Sequence, residues 1–416
     1  MNQTSIDRSD GLSTGEFSKK ASLFRIIKNN FSTFGYSEIK TPTFESYDLY
    51  QSITGTVEPD SMIKIIDPSG KVLVMRPDVT IPITKMQVSA ASPIPLSNQR
   101  LFYIENVFRM SDEQQGKKEW TQAGVENFAP SSTETDSEVI TLAAQILRSL
   151  GFDSIRIQVG LASFFRPLLE QVSLTETERK ELQSLIRAKN ISELELFLAE
   201  RELPEALCQL LIQIPYLYGE FNEVIESAKA LSLSGSMLEE IRKLEALHHM
   251  LELYKVDKYV SLDLGLINHM DYYSGIIFQG YVENVGKPVL MGGRYDQLAS
   301  QMGRALPAIG FACDSDALLE ALTQNNLFKP DIPHIDAVLT YDGKRQKEAI
   351  QTAEMLRENG LRVIVTSQSE DAFLLEGTII IRYKNSEQVV EGIRGTTSFS
   401  NSHNLLELLL RNKEEI

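Results

Sequence analysis

The apolar and polar positions of this chain change period several times, and each period predicts an element. From Thr14 to Phe34 the apolar residues recur at helical spacing and Gly35 follows them, which predicts an amphipathic helix ended by a glycine. A second helix is predicted over residues 134–150, where the apolar residues again fall on one face. The short apolar or alternating runs that predict strands here are Val72 to Met75, Leu101 to Phe108 and Ile155 to Val159.

A long helical block interrupts this mixed pattern. Residues 166–258 are rich in Leu, Glu, Lys and Ala, with breaks at Pro204 and Pro215. Their leucine stripes predict packing between helices rather than a binding surface. The strand-like runs that follow are Tyr259 to Leu266, Ile276 to Val282 and Val289 to Met291, the last two predicted as a hairpin. The block is therefore expected to be an insertion within one sheet-containing domain.

The last part of the chain is predicted to form a separate small domain. Two prolines and the absence of periodicity between Phe328 and Pro333 indicate a linker. The elements predicted beyond it are strand Ala337 to Thr340, helix Arg345 to Asn359, strand Leu361 to Thr366, strand Thr378 to Tyr383 and a helix from Asn404. The first three form a βαβ unit. The expected domains are therefore residues 1–330 and residues 331–416.

Composition narrows the class of protein. Of 416 residues, 42% are hydrophobic and 24% charged, as in an ordinary globular protein. No apolar run approaches the roughly 20 residues of a membrane-spanning helix, and the polar first residues lack a signal peptide, so a cytoplasmic protein is expected. The formal charge of −16 speaks against nucleic acid as the main partner. Cys208 and Cys313 are expected to be reduced, and no metal site is expected because the five histidines do not cluster.

Four motifs carry the candidate chemistry. They are Leu73 to Thr80, the pair Arg100 to Ser111 and Trp120 to Glu126, His269 to Gly275, and Met291 to Asp296, which Pro307 to Ala312 follows. In this order, the motifs resemble the catalytic core of histidyl-tRNA synthetase, a class II aminoacyl-tRNA synthetase. The resemblance runs from about residue 10 to about residue 330.

The resemblance implies an α+β fold, in which helices flank an antiparallel sheet of the class II synthetase type. It also implies a helical insertion at residues 166–258 and a small C-terminal α/β domain that is similar to an abridged anticodon-binding domain. Pro42 matches the proline of the family's dimer interface; otherwise, Pro42 would merely start an edge strand.

Three departures from the synthetase motifs concern ATP. The family has a glutamate where this chain has Ser111, and arginines where it has Asn268 and Ala317. Neither Asn nor Ala can replace the bidentate guanidinium that recognises phosphate. Asp314 adds a negative charge on the expected phosphate side. The resemblance therefore implies that aminoacyl-adenylate formation is lost and that the chain has no catalytic residues of its own.

The amino-acid pocket of the family is retained. Asp78, Thr80 and Gln122 match groups that hold the α-amino group of histidine, whereas Glu126 and Tyr273 match groups that bond the imidazole ring. Arg109 has two open roles, a structural one or binding of the ligand carboxylate. Tyr272 and Tyr295 match pocket walls. The candidate histidine-binding residues are Asp78, Thr80, Arg109, Gln122, Glu126, Tyr272 and Tyr273.

A retained ligand site without the ATP-binding groups is similar to the ATP phosphoribosyltransferase regulatory subunits, which are paralogues of the synthetase. This resemblance implies a partner, the short-form catalytic phosphoribosyltransferase, in a hetero-oligomer expected to be a hetero-octamer that contains a self-dimer. It implies L-histidine as effector, with no cofactor, no tRNA and no membrane as partner. The alternatives are an active histidyl-tRNA synthetase and a free-standing histidine sensor, the latter expected to carry a basic patch or an effector domain.

Overall fold

The structure is a computed structural model that divides into two compact units, residues 1–329 and 330–416. The described residues are 12–53, 55, 57–89, 99–110, 117–164, 174–201, 203–231, 235–266, 272–328, 335–367, 379–384, 388–392, 395–399, 404–405 and 409. Most of the predicted linker lies outside them.

A nine-stranded sheet forms the centre of the first unit, beside a smaller sheet of three strands. The strands of this unit are β1 (Ser37–Glu38), β2 (Phe44–Ser46), β3 (Lys64–Ile66), β4 (Val72–Met75), β5 (Gln99–Phe108), β6 (Glu119–Phe128), β7 (Ile155–Leu161), β8 (Tyr218–Gly219), β9 (Val260–Asp263), β10 (Ile276–Val282), β11 (Leu290–Arg294) and β12 (Ala308–Asp314). The orders are β1-β5-β6-β12-β11-β10-β7-β9-β8 and β2-β4-β3. The predicted hairpin is formed by β10 and β11.

The large sheet is antiparallel from β5 to β7, and the prediction of an antiparallel sheet is confirmed for these six central strands. Two pairs nearer the edges, β1 with β5 and β7 with β9, are parallel. A parallel pair needs a long crossover connection, and the helical insertion supplies one between β7 and β9.

Helices of the first unit pack in both apolar clusters of this unit and form the insertion. They are α1 (Thr14–Thr33), α2 (Tyr47–Gln51), α3 (Thr80–Ser89), α4 (Thr133–Ser149), α5 (Glu176–Arg187), α6 (Ile191–Ala199), α7 (Glu205–Gln213), α8 (Phe221–Leu231), α9 (Gly235–Leu253), α10 (Leu298–Gln301) and α11 (Ser315–Gln324). The predicted helix over 134–150 is α4, whose Val139, Ile140 and Leu147 are fully buried. Ser13 and Glu16 form a capping box that starts α1, and Gly35 follows its end with φ +78°.

The insertion is helical as predicted, apart from the two-residue strand β8. That strand pairs with β9 and extends the large sheet. Leu194, Leu210 and Leu244 are buried, so these leucines of the insertion pack against other elements, as predicted. Residues 165–173 lie outside the described part of the chain.

The second unit contains a five-stranded sheet of order β14-β13-β15-β16-β17. Its elements are β13 (Ala337–Tyr341), α12 (Gln346–Glu358), β14 (Val363–Ser367), β15 (Ile379–Tyr383), β16 (Gln388–Gly392) and β17 (Gly395–Ser398). The predicted βαβ unit is confirmed, since β13 and β14 are parallel. The antiparallel pair β16–β17 was not predicted. Of the predicted last helix, residues 404, 405 and 409 are described and helical.

Within the described residues, no helix combines the length and the apolar character needed to cross a bilayer.

Candidate functional site

A cavity of about 440 Å³ lies in the first unit. All seven residues predicted for histidine binding line it: Asp78, Thr80, Arg109, Gln122, Glu126, Tyr272 and Tyr273. They come from sequence positions 78 to 273 and from several different elements. The structure therefore brings the predicted residues together around one space.

Strand alternation places Glu126 in this cavity. Ala123 and Val125 of β6 belong to the apolar cluster that contains the α4 residues. Successive side chains of a strand point to opposite faces, so Gln122 and Glu126 lie on the face away from α4. A second apolar cluster, which includes Tyr103 and Phe128, packs on that face.

Glu126 is buried and accepts two hydrogen bonds from hydroxyl groups. Thr80 Oγ1 donates to its Oε1 at 2.7 Å, and the Tyr295 hydroxyl donates to its Oε2. Burial raises the pKa of Glu126 to about 7, although both hydroxyls oppose the rise; the Asp78 carboxylate adds to it. The carboxyl group is thus fixed in place, with its charge destabilised by desolvation.

Asp78 is the second buried carboxyl of the cavity. Its Oδ1 accepts a hydrogen bond from the Ile81 N–H in the first turn of α3, at 2.8 Å. Its Oδ2 is buried and has no hydrogen-bond partner among the described residues. Burial raises the pKa of Asp78 to about 6, and the Ile81 N–H and the Arg109 guanidinium act in the opposite direction. A cationic group from a ligand would supply the partner that Oδ2 lacks.

A buried ion pair holds the segment that precedes Asp78. Arg76 pairs with Glu105 of β5, and its guanidinium donates to the carbonyl oxygens of Thr41 at 2.8 Å and Asn106 at 2.7 Å. The Arg76 side chain also reaches the Pro42 carbonyl oxygen at 3.4 Å. The segment around Pro42 is therefore fixed to the strands beside the cavity; its part in a dimer interface stays a prediction.

Three tyrosines form one wall. The ring centroids of Tyr272 and Tyr273 are 4.8 Å apart, and those of Tyr272 and Tyr295 are 5.9 Å apart at an interplanar angle of 79°. Burial raises the pKa of Tyr273 above its usual value, although the neighbouring Tyr272 hydroxyl opposes the rise. Phenols that stay protonated can donate to a ligand nitrogen.

Two glycines allow these side chains to lie close to the sheet. A Cβ on Gly310 would lie 2.1 Å from Glu126 Oε2, and a Cβ on Gly293 would lie 2.7 Å from the Tyr273 ring. Gly293 and Gly310 are direct partners across β11 and β12, and Gly310 is the partner of Glu126. At Gly293 and Gly310 the backbone thus approaches these side chains more closely than a residue with a Cβ would allow.

Arg109 lies at the cavity edge and is half-buried. Its Nε donates to the Pro77 carbonyl oxygen at 2.5 Å, and its main-chain N–H donates to the Lys118 carbonyl oxygen at 3.1 Å. Both of its predicted roles therefore remain compatible with its position: Nε stabilises the turn before Asp78, and the guanidinium also borders the cavity.

Asp314, which the resemblance places on the phosphate side, lies directly before α11 and lines the cavity. Asp314 Oδ1 caps this helix, accepting from the N–H groups of Asp316 and Ala317 at 2.9 and 3.1 Å. Ala317 is buried, and Lys117 forms an ion pair with Asp316. The other two departures, Ser111 and Asn268, lie outside the described residues.

Sequence reasoning missed part of this site. Tyr295 was predicted as a wall, but its hydrogen bond to Glu126 was not, and Tyr103 and Trp120 also line the cavity. The motif Met291 to Asp296 contains Tyr295, but the sequence of the motif does not determine which strand the Tyr295 side chain contacts. In the part of the chain that the structure describes, no group of three His, Cys, Asp or Glu residues could hold a metal ion.

Comparison with known proteins agrees with the motifs. The sequence matches the family of histidyl-tRNA synthetase over residues 10–318. The ATP phosphoribosyltransferase regulatory subunit of Oceanobacillus iheyensis is 39% identical over 398 residues, which are 96% of this chain and 96% of that protein. The regulatory subunit of Acetivibrio thermocellus is 33% identical, over 83% of this chain and 82% of that protein.

Solved structures agree as well. One from Bacillus halodurans, described as an ATP phosphoribosyltransferase regulatory subunit/histidyl-tRNA synthetase, is similar with a TM-score of 0.80 at 27% identity, covering 93% of this chain and 99% of that one. Histidyl-tRNA synthetase of Nostoc is similar with a TM-score of 0.79 at 16% identity, covering 100% of both chains, and shows a likeness of fold alone. The predicted class II synthetase-like α+β fold is confirmed.

Proposed function

Because the chain belongs to the histidyl-tRNA synthetase family, and within it to the ATP phosphoribosyltransferase regulatory subunits, we propose that it senses L-histidine and performs no chemistry itself. It activates the short-form catalytic subunit of ATP phosphoribosyltransferase in the first step of L-histidine biosynthesis. Histidine that binds to this chain inhibits the catalytic subunit.

The single observation that carries the proposal is the cavity that gathers the seven predicted residues. The unpartnered Oδ2 of Asp78 receives the α-ammonium group of the ligand, with Thr80 and Gln122 nearby. Glu126 accepts a hydrogen bond from one imidazole nitrogen, and the Tyr273 hydroxyl bonds the other. A charged partner in a buried site contributes about 1.5–3 kcal/mol, so Asp78 and Glu126 carry much of the affinity.

The proposed lack of aminoacylation is supported by the residues that replace the ATP-binding groups of the synthetase motifs. Ala317 offers no guanidinium to a phosphate, and the Asp314 carboxylate lines the cavity near the start of α11. With Asn268 and Ser111 in the sequence, two arginines and a glutamate of the synthetase motifs are missing. Removal of preorganised charge-stabilising groups lowers a rate by on the order of 10²–10³ each.

The proposed assembly is a hetero-octamer of this chain with the catalytic subunit in the cytoplasm. It contains a dimer of this chain formed through the region of Pro42. An end product that binds to a protein without chemistry of its own can act only through a coupling to another subunit, and that coupling is reciprocal. Histidine therefore binds this chain with a different affinity when the catalytic subunit is engaged in its reaction complex.

Reconstitution tests the proposal. Adding this chain to the short-form catalytic subunit should raise the turnover of ATP with phosphoribosyl pyrophosphate, and L-histidine should then lower it. Glu126→Gln should retain the activation and lose most of the histidine sensitivity, whereas Glu119→Gln, at the exposed start of the same strand, should behave as the wild type. Separate elution of the two proteins in size-exclusion chromatography, with no change in turnover on mixing, would contradict the proposal.

A further inference from the structure

The cavity contains two buried carboxyl groups and little compensating positive charge, and the half-buried Asp314 adds a third carboxyl to its lining. Asp78 and Glu126 both line it, with 8% and 2% of their surface exposed. Of the described residues that line the cavity, Arg109 is the basic one, and its Nε is already engaged by the Pro77 carbonyl oxygen. Two ionised carboxylates in such a site would carry a net negative charge out of water, which is costly.

The groups that face Glu126 come from four directions and are all uncharged or acidic. Thr80 and Tyr295 donate to its two oxygens. The phenol of Tyr103 on β5 and that of Tyr273 lie within electrostatic reach of this carboxylate. Asp78 adds a like charge. Hydroxyl donors stabilise a carboxylate only in part, and none of these described neighbours is a cation. They therefore do not neutralise the charge of Glu126.

The surroundings of Asp78 are mixed but also insufficient. Arg109 and the Ile81 N–H favour its ionised form, while Glu45 of β2 disfavours it. Lys85 pairs with Glu45 at 2.8 Å and weakens that repulsion. The Tyr50 hydroxyl interacts electrostatically with Asp78 and is buried, with no hydrogen-bond partner among the described residues. Oδ2 of Asp78 therefore remains the uncompensated acceptor of the pair.

We propose that one of the two buried carboxyls, Asp78 or Glu126, holds a proton in the ligand-free cavity, and that an incoming amino acid exchanges its ammonium group for that proton. This inference rests on the proposed function, because it takes L-histidine as the ligand. The ammonium enters beside Asp78, both carboxyls become ionised, and the proton leaves to solvent. No covalent bond of the ligand is made or broken.

The exchange makes effector binding depend on pH with a defined sign. Burial raises the pKa of Glu126 to about 7 and that of Asp78 to about 6 in the ligand-free protein, and a bound cation lowers both. Between the bound and free values, binding releases protons, so histidine affinity rises with pH and levels off above the free value. Where one whole proton is exchanged, the affinity rises about ten-fold per pH unit.

Two measurements on the full-length chain test this exchange. Titration calorimetry with L-histidine at pH 7, in phosphate and in Tris, gives the number of protons released from the difference in heat between buffers. We expect the release of about half a proton or more beyond the share of the imidazole ring, and the same value for Glu119→Gln, whose side chain lies at the exposed start of β6. Infrared difference spectroscopy should show a protonated carboxyl band in the ligand-free protein that histidine removes and that Glu126→Gln lacks.

The outcomes separate this inference from the proposed function. Histidine binding with no proton release beyond that of the ligand, and no carboxylic acid band in the ligand-free protein, would overturn the exchange and leave the histidine site intact. A complete absence of binding heat would reject the proposed effector and the exchange together. Persistence of the band in Glu126→Gln and also in Asp78→Asn would place the proton elsewhere and overturn the inference.

Discussion

The Tyr295 hydroxyl donates a hydrogen bond to Oε2 of Glu126, across a separation of 169 residues. Tyr295 directly follows β11, and Glu126 is on β6, with β12 between the two strands. Thr80 holds the other carboxylate oxygen at 2.7 Å. Both oxygens of Glu126 are thus fixed by hydroxyl donors, and their remaining lone pairs can accept from a ligand donor such as an imidazole N–H.

Loss of the Tyr295 hydroxyl should weaken histidine binding without removing it. Tyr295→Phe keeps the ring against Tyr272 but leaves one buried oxygen of Glu126 without its donor, which costs about 1–2 kcal/mol. We expect histidine affinity to fall about 5- to 30-fold by calorimetry. Tyr281→Phe is the matched control, because the Tyr281 hydroxyl bonds Gln279 at 2.7 Å and does not line the cavity. Equal affinities for the wild type and Tyr295→Phe would refute this role.

Glu126 should reduce the stability of the ligand-free protein at alkaline pH. Its pKa is raised from 4.5 to about 7, so the folded state keeps a proton that the unfolded state has released between these values. The free energy of unfolding therefore falls by up to about 3 kcal/mol as the pH rises from about 4.5 to 7. Above pH 7 this carboxyl causes no further loss of stability. In urea denaturation, the stability of Glu126→Gln minus that of the wild type should be larger at pH 8 than at pH 5.

The control for this prediction is Glu119→Gln, at the exposed start of the same strand. Its difference from the wild type should stay small at both pH values. A difference between Glu126→Gln and the wild type that is identical at pH 5 and pH 8 would show that burial does not shift this carboxyl.

Gly293 should be essential for the position of Tyr273. In Gly293→Ala the new methyl group would lie 2.7 Å from the Tyr273 ring and 2.6 Å from the Ile276 carbonyl oxygen. Overpacking of this kind costs about 1–3 kcal/mol of stability, and displacement of Tyr273 should lower histidine affinity more than ten-fold. Gly286→Ala, with no atom within 4 Å of its new methyl group, should change neither. Retention of full affinity by a folded Gly293→Ala protein would argue against Tyr273 as a ligand group.

The purified chain should form no histidyl-adenylate. Loss of two charge-assisted phosphate partners weakens nucleotide binding by roughly 3–6 kcal/mol if the terms add, and Ala317 and Asn268 replace two arginines of the synthetase motifs. Histidine-dependent exchange of pyrophosphate into ATP should stay at the background of a protein-free reaction. Exchange at the level of an ordinary synthetase would restore the alternative function.

The sequence predicted those parts of the fold in which local pattern and packing agree. The α4 helix and strand β7 have strong periodicity and bury the apolar residues that the pattern selects. The β16–β17 hairpin was missed because its strands contain few apolar residues and Gly392 and Gly395 close them. The two parallel pairs, β1–β5 and β7–β9, depend on long-range contacts that periodicity does not encode.

The residues of the site were predictable where they occupy motif positions. The contacts between them were not predictable where they depend on three-dimensional geometry. Asp78 and Glu126 were identified from motif positions, and both line the cavity. Two other features of the site depend on strand register. One is the hydrogen bond from Tyr295 to Glu126. The other is the overlap that any side chain at Gly310 would cause, since Gly310 pairs with Glu126 across β12 and β6. One sequence carries no direct signal for that register.

Calorimetric titration of the full-length chain with L-histidine tests the central claim most directly, namely that this cavity is a histidine site. The wild type should show saturable binding of one histidine per chain. Glu126→Ala should weaken it by about 1.5–3 kcal/mol, and Glu119→Ala, at the exposed start of the same strand, should leave it unchanged. An absence of binding heat in the wild type, or an affinity in Glu126→Ala equal to that of the wild type, would contradict the claim.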